Sequence, residues 1–159
     1  MVHRIGGHGH SLGALAEHVC ADPRSNDLMS NEASFPLSEF LGMEVVDEGG
    51  GHASAYIDAG EAHLNPHGFV HGAAVFAMVD TSMGAAVMGM LEPTQRCSTI
   101  ELHMRFLRPF VEGRLTAETT VVKPGRRVMH LESRVTDESG RLVATATSSF
   151  AIIDEPPGG

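Results

Sequence analysis

The sequence predicts an α+β fold in which an antiparallel sheet of five to six strands wraps around one long central helix. Three observations carry this expectation. From about Val70 to Met90 the chain is apolar nearly all round, through Val75, Phe76, Met78, Val79, Val87 and Met88, and such a helix must be buried on most sides. After Glu92-Pro93, four strand-like segments follow with turn signals at hairpin spacing. The small residues Gly84, Ala85, Ala86 and Gly89 let strands come close to the helix. A sheet is the only partner available, and curling it around the helix is the simplest solution. A helix lying flat on an open sheet is the alternative.

The elements follow in order. Residues 1 to about 33 are rich in His, Gly, Ser and Asn, with His3, His8 and His10 in a polar tail. After Ser11, Leu12, Leu15, Ala16, Val19 and Cys20 share one helical face, and Pro23 ends it. This stretch is a flexible or partly helical extension, and residues 34–159 form the folded domain. Pro36 to Leu41 is a short helix, with Pro early and Gly42 as its stop. Met43 to Val46 and Ala53 to Ile57 flank Gly49-Gly50-Gly51 and read as a hairpin. Beyond the helix, Thr99 to Leu107 alternates. Thr99, Glu101, His103 and Arg105 fall on one face and Ile100, Leu102, Met104 and Phe106 on the other. Pro109 ends this strand. Leu115 to Val122, Val128 to Val135 and Leu142 to Ile153 are the remaining strands, separated by Lys123-Pro124-Gly125 and Asp137-Glu138-Ser139-Gly140.

Composition narrows the function. A chain of 159 residues with 42% hydrophobic residues supports one domain with a real core. A net charge of −9 argues against general nucleic-acid binding, so an anionic ligand must find a local basic patch. No apolar run approaches the roughly 18 residues of a membrane span. The first residues lack the apolar core of a signal peptide. Cys20 and Cys97 are the only cysteines, which fits a reducing, cytoplasmic setting better than a disulfide scaffold.

The chemistry concentrates in Asn65-Pro-His-Gly-Phe-Val-His-Gly72 and the helix it opens. Gly72 stands where the first free backbone N–H groups of the helix should lie, and these, with the helix dipole, favour negative charge. Asp80 lies two turns on, among Ala, Val, Phe and Met, where an acid is costly unless paired, hydrated or useful. An oxyanion site with a carboxylate suggests acyl transfer to water. Gly72 N–H and the Asn65 amide are the candidate donors to the oxyanion. Asp80 would activate a water or attack the carbonyl itself. Thr99 would orient Asp80 or hold the water, and His71 would fix the loop or polarise the site. Each has a plainer reading: a helix-start glycine, a turn residue before Pro66, a core carboxylate, an outward strand threonine and a structural histidine.

These residues resemble a known family. The element order is similar to the hotdog fold. The pattern Asn65-x-x-Gly68-x-x-His71-Gly72, with Asp80 eight residues after Gly72, resembles acyl-CoA thioesterases of the phenylacetate-degradation (PaaI-like) type. Thr99 to Pro109, Lys123 to Arg127 and Asp137 to Ala144 resemble later parts of that family, and the resemblance covers about residues 36 to 153. Ala73 replaces a second glycine that is usual there. The pairing of Asp80 with Gly84 sides with the branch that uses Asp, in which a Ser or Thr on the next strand assists; Thr99 matches that place. The resemblance implies hydrolysis of acyl-CoA, no cofactor, and a homodimer or homotetramer paired through the strand after the helix. Coenzyme A phosphates need cations, which Lys123, Arg126 and Arg127 can supply, with Arg105 and Arg108 also available.

Helix geometry points to the same assembly. Gly72 and Asp80 are separated by about 12 Å of helical rise. If both act on one thioester, they come from different subunits related by a two-fold axis. Three rival readings remain. An enoyl-CoA hydratase would need an acid where His63 stands. A metal site could use His63, His67 and His71, although Pro66 and Gly68 break helical geometry there. A non-catalytic acyl-CoA-binding module would need neither Asp80 nor Asn65.

Overall fold

The structure, a computed structural model, describes residues 35–154. The helix expected after Ser11 lies outside them. The described chain runs α1 (Pro36–Leu41), β1 (Met43–Gly49), β2 (His52–Ala59), a 3-10 turn (Glu61–His63), α2 (Gly72–Met88), β3 (Gln95–Phe106), β4 (Gly113–Lys123), β5 (Val128–Asp137) and β6 (Leu142–Asp154). In α1, the Phe35 N–H donates to Ser38 Oγ at 3.0 Å and the Ser38 hydroxyl donates back to Phe35 O at 2.8 Å. The hairpin between β1 and β2 needs glycine, because Gly49, Gly50 and Gly51 all have positive φ, at 78°, 62° and 83°.

The six strands form one antiparallel sheet in the order β1-β2-β4-β5-β6-β3. Helix α2 packs against all six, so the wrapped arrangement is the one the protein adopts. Its Met78, Val79, Met83 and Val87 meet Ile57, Leu115, Leu131 and Val135 in a fully buried core. The strand order differs from four hairpin-linked strands in succession. Strand β2 occupies the edge of β4 that β3 would need, so β3 crosses over and pairs with β6.

Two further differences matter for the site. Helix α2 begins at Gly72 rather than Val70, because the Val70 N–H donates to Phe110 O at 2.7 Å and Val70 bridges to Leu64. The helix also keeps one open stripe: Ala73 and Phe76 are exposed, and Ala77, Asp80 and Gly84 are half-buried. Strand β3 does not alternate throughout. Thr99 pairs with Phe150 and Glu101 with Ser149, so Ile100 is an extra residue in a β-bulge. Upstream of the bulge the faces exchange. Thr99 shares its face with the buried Phe150, whereas Ile100 is left 56% exposed. Forgoing that burial costs of the order of 1 kcal/mol.

Candidate active site

The Asn65 loop is closed by its own hydrogen bonds. The Asn65 N–H donates to Phe69 O at 2.7 Å, and the Gly68 N–H donates to Asn65 O at 3.0 Å. Asn65 Oδ1 accepts from the N–H of His67 at 2.8 Å and of Phe69 at 3.3 Å. Gly68 turns the chain with φ 79°. The side-chain oxygen is thus spent on the turn, and the amide NH2 has no partner among the described residues. The turn role and a donor role are therefore compatible in one side chain.

His71 caps α2: its Nδ1 accepts from the Ala73 N–H at 3.0 Å, which places the proton of the neutral ring on Nε2. Its backbone N–H donates to His63 O at 2.7 Å. His63 in turn accepts from the Gly60 N–H at 3.1 Å through Nδ1 and donates to Leu41 O at 2.9 Å through Nε2. Both ring nitrogens of His63 thus hold the loop. No group of three or more potential metal ligands converges among the described residues.

Gly72 opens the helix with its N–H unpartnered among the described residues. A Cβ there would stand 3.0 Å from Phe106 Cζ, so only glycine lets the ring lie on the helix start. Asn65, Gly72, Val75, Phe69, Phe106 and Phe110 share a mainly apolar cleft of about 390 Å³, with Arg108 at its edge. Asp80 does not line this cleft. It stands on the open stripe of α2, where Thr99 Oγ1 donates to its Oδ1 at 2.8 Å. Cys97 points to the same side, its Sγ 3.9 Å from Gly84 O. Burial, and next the Asp80 carboxylate, push its thiol up to about 11.

One chain therefore presents two separate polar groupings: N–H donors without partners among the described residues at the helix start, and a carboxylate–hydroxyl pair two turns along. Lys123, Arg126 and Arg127 lie elsewhere. Arg126 and Arg127 line a second cleft of about 410 Å³ with Met90, Gln95 and Asp154, at the opposite end of α2 and β3 from Gly72. Lys123 ends β4 beside it, and all three cations are exposed. Met78 and Met83 are core, and Met90 lines the second cleft. Phe106 is not recognisable from the sequence as a partner of Gly72. Its position at the end of a strand gives no local sign of a contact formed by folding.

An antiparallel sheet wrapped on one helix, with polar groups at the helix start and along its open stripe, defines a hotdog-fold protein. A profile described as the thioesterase superfamily matches residues 67–144. A phenylacetic acid degradation-related protein of Ralstonia eutropha JMP134 is 33% identical, with 79% of this chain and 96% of that one covered and a TM-score of 0.69. A mutant of the phenylacetic acid degradation protein PaaI of Thermus thermophilus is 27% identical, covering 74% of this chain and 98% of that one at a TM-score of 0.67. The 1,4-dihydroxy-2-naphthoyl-CoA hydrolase of Listeria monocytogenes is 22% identical over 116 residues, 73% of this chain and 94% of that protein. The chain belongs to the thioesterase superfamily, as a hotdog protein of the PaaI-like type. At family level it is a thioester hydrolase. No helix among the described residues is long and apolar enough to cross a membrane.

Proposed function

We propose that the protein hydrolyses acyl-CoA thioesters to the free acid and coenzyme A, in sites shared between the two subunits of a homodimer that can assemble further into a tetramer. The observation that carries this reading is the 2.8 Å contact between Thr99 and Asp80, on the same helix as a start, two turns away, whose Gly72 N–H is unspent among the described residues. The acyl group enters the cleft at Asn65, Gly72 and Phe106 of one subunit. Gly72 N–H and the Asn65 amide receive the charge that builds on the carbonyl oxygen. Asp80 of the other subunit, oriented by Thr99, takes the proton of an attacking water or adds to the carbonyl carbon as a nucleophile. Collapse of the adduct expels the thiolate of coenzyme A, which takes a proton from the Asp80 carboxyl in the first route; in the second, water hydrolyses the mixed anhydride left on Asp80 to release the free acid. His71 serves by capping the helix and fixing the loop. Lys123, Arg126 and Arg127 supply positive charge for the phosphates, and the chemistry needs no cofactor.

The test is Asp80→Asn, assayed by thiol release over short, long and aryl acyl-CoA substrates. The swap is nearly isosteric, so the fold is kept while kcat falls at least about 10²-fold. Unchanged turnover of every substrate would rule out Asp80 as the reactive group.

A further inference from the structure

The bulge at Ile100 is held by hydrogen bonds to the residue that follows it. Glu101, the first residue after it, is bound at three points. Its carbonyl oxygen accepts from the Ser148 hydroxyl. Its Oε1 accepts from Ser149 Oγ at 2.7 Å, and its Oε2 accepts from His103 Nε2 at 3.1 Å. His130 Nδ1 reaches Ser149 Oγ from β5 at 3.0 Å. A hydroxyl has one proton, and here it goes to the carboxylate, so His130 is the donor to Ser149. The network joins β3, β6 and β5 through the residue beside the register shift. These hydrogen bonds, that of Ser149 first and that of His103 next, hold the Glu101 carboxyl below its usual range.

The apolar pattern pulls the other way. A straight strand upstream of Glu101 would turn Ile100 toward the helix and Thr99 outward, as strict alternation predicts. It would bury an isoleucine that is now 56% exposed, and it would break the contact between Thr99 and Asp80.

We infer that Glu101 is a positioning residue, which locks the bulge at Ile100 and thereby sets Thr99 against Asp80. The inference rests on the reading of Asp80 and Thr99 as the reactive pair. Glu101 touches no reacting atom and acts only through the register of Gln95 to Thr99.

The experiment compares kcat and KM for Glu101→Ala, Thr99→Ala and the double variant on a hydrolysed acyl-CoA. Each single change is expected to lower kcat about tenfold, the worth of one hydrogen bond to a carboxylate, with KM within about twofold. The double variant should be no worse than Thr99→Ala, because both act on one contact. Adding Ile100→Ser to Glu101→Ala removes the apolar pull and should restore most of the lost kcat. Additive losses, or wild-type kcat in Glu101→Ala, overturn the inference. Register is read independently, by cross-strand NMR contacts between Thr99 and Phe150, which should be present in the wild type and lost in Glu101→Ala. If the wild type turns over no acyl-CoA, the proposed function fails while the NMR comparison still decides the role of Glu101. Should Glu101→Ala not fold, Ser149→Ala removes the main partner of the carboxylate. It should lower kcat and the Thr99–Phe150 contacts together, and wild-type values of both overturn the inference.

Discussion

An equimolar mixture of an Asp80→Asn chain and a Gly72→Pro chain should hydrolyse thioesters although neither does so alone. Eight residues of helix separate the two positions, about 12 Å of rise. A carboxylate acting through one water reaches a carbonyl carbon within about 6 Å, two contacts of about 3 Å each. The cleft that holds Gly72 does not include Asp80, which is why the two groups at one thioester are proposed to come from different chains. With a two-fold axis, each site takes Gly72 and Asn65 from one subunit and Asp80 and Thr99 from the other. Random exchange makes half of the dimers mixed, and each mixed dimer has one site with both defects and one with neither. Activity per chain should therefore return to about a quarter of the wild-type value. Proline removes the N–H, and its φ suits the first helical turn. Its Cβ would meet the Phe106 ring at 3.0 Å, but that residue is 54% exposed and can swing aside. Asn65→Ala is a second partner for Asp80→Asn, since Asn65 belongs to the same half-site. The assay is thiol release, with exchange confirmed by native mass spectrometry of mass-labelled chains. Exchanged dimers no more active than their parents would refute the shared site.

Asn65→Asp separates the two roles of that residue. The oxygen that accepts from His67 and Phe69 remains while the amide donors go, so the melting temperature should hold and kcat should fall about 10²-fold; wild-type kcat would leave Asn65 only its turn. Asp137 makes stability depend on pH. Its Oδ1 accepts from the Ser139 hydroxyl at 2.6 Å and its Oδ2 accepts from Arg141 Nε at 2.8 Å. The Ser139 hydroxyl first, and then Arg141, hold its carboxyl well below the usual carboxylate range. The folded value lies below the unfolded one, so this contribution is present above about pH 4 and is lost as the pH falls further. Asp137→Asn should lower the melting temperature at neutral pH and flatten its fall between about pH 5 and pH 3. Parallel melting curves for variant and wild type over that range would contradict the assignment.

The wrapped sheet is legible in the sequence because a helix apolar on most faces has few other places to lie. Strand order is not. The pairing of β2 with β4 and of β3 with β6 is a long-range choice that hairpin spacing does not encode. Asn65, Gly72 and Asp80 are legible because their signals are local: a turn, a helix start and an acid in an apolar run. The face of Thr99 is not, because alternation puts it with Glu101 and only the extra residue Ile100 returns it to Asp80. The open stripe on α2 is likewise hidden, since the small and apolar residues along it look the same in sequence whether covered or bare.

Between β2 and its immediate neighbour β4 the chain makes a long detour through the Asn65 loop, α2 and the far edge strand β3. Asn65, Gly72, Asp80 and Thr99 all lie in that excursion of about fifty residues, whose closure costs roughly 3.5 kcal/mol of chain entropy from its length alone. Strands β1, β2, β4, β5 and β6 form an unbroken run of neighbours without it. The proposed reactive apparatus is thus spliced as one cassette between two adjoining strands. Substitutions in the loop and along the open stripe can retune the chemistry without touching the pairing of those five strands, while the buried side of α2 still ties the cassette to the sheet that wraps it.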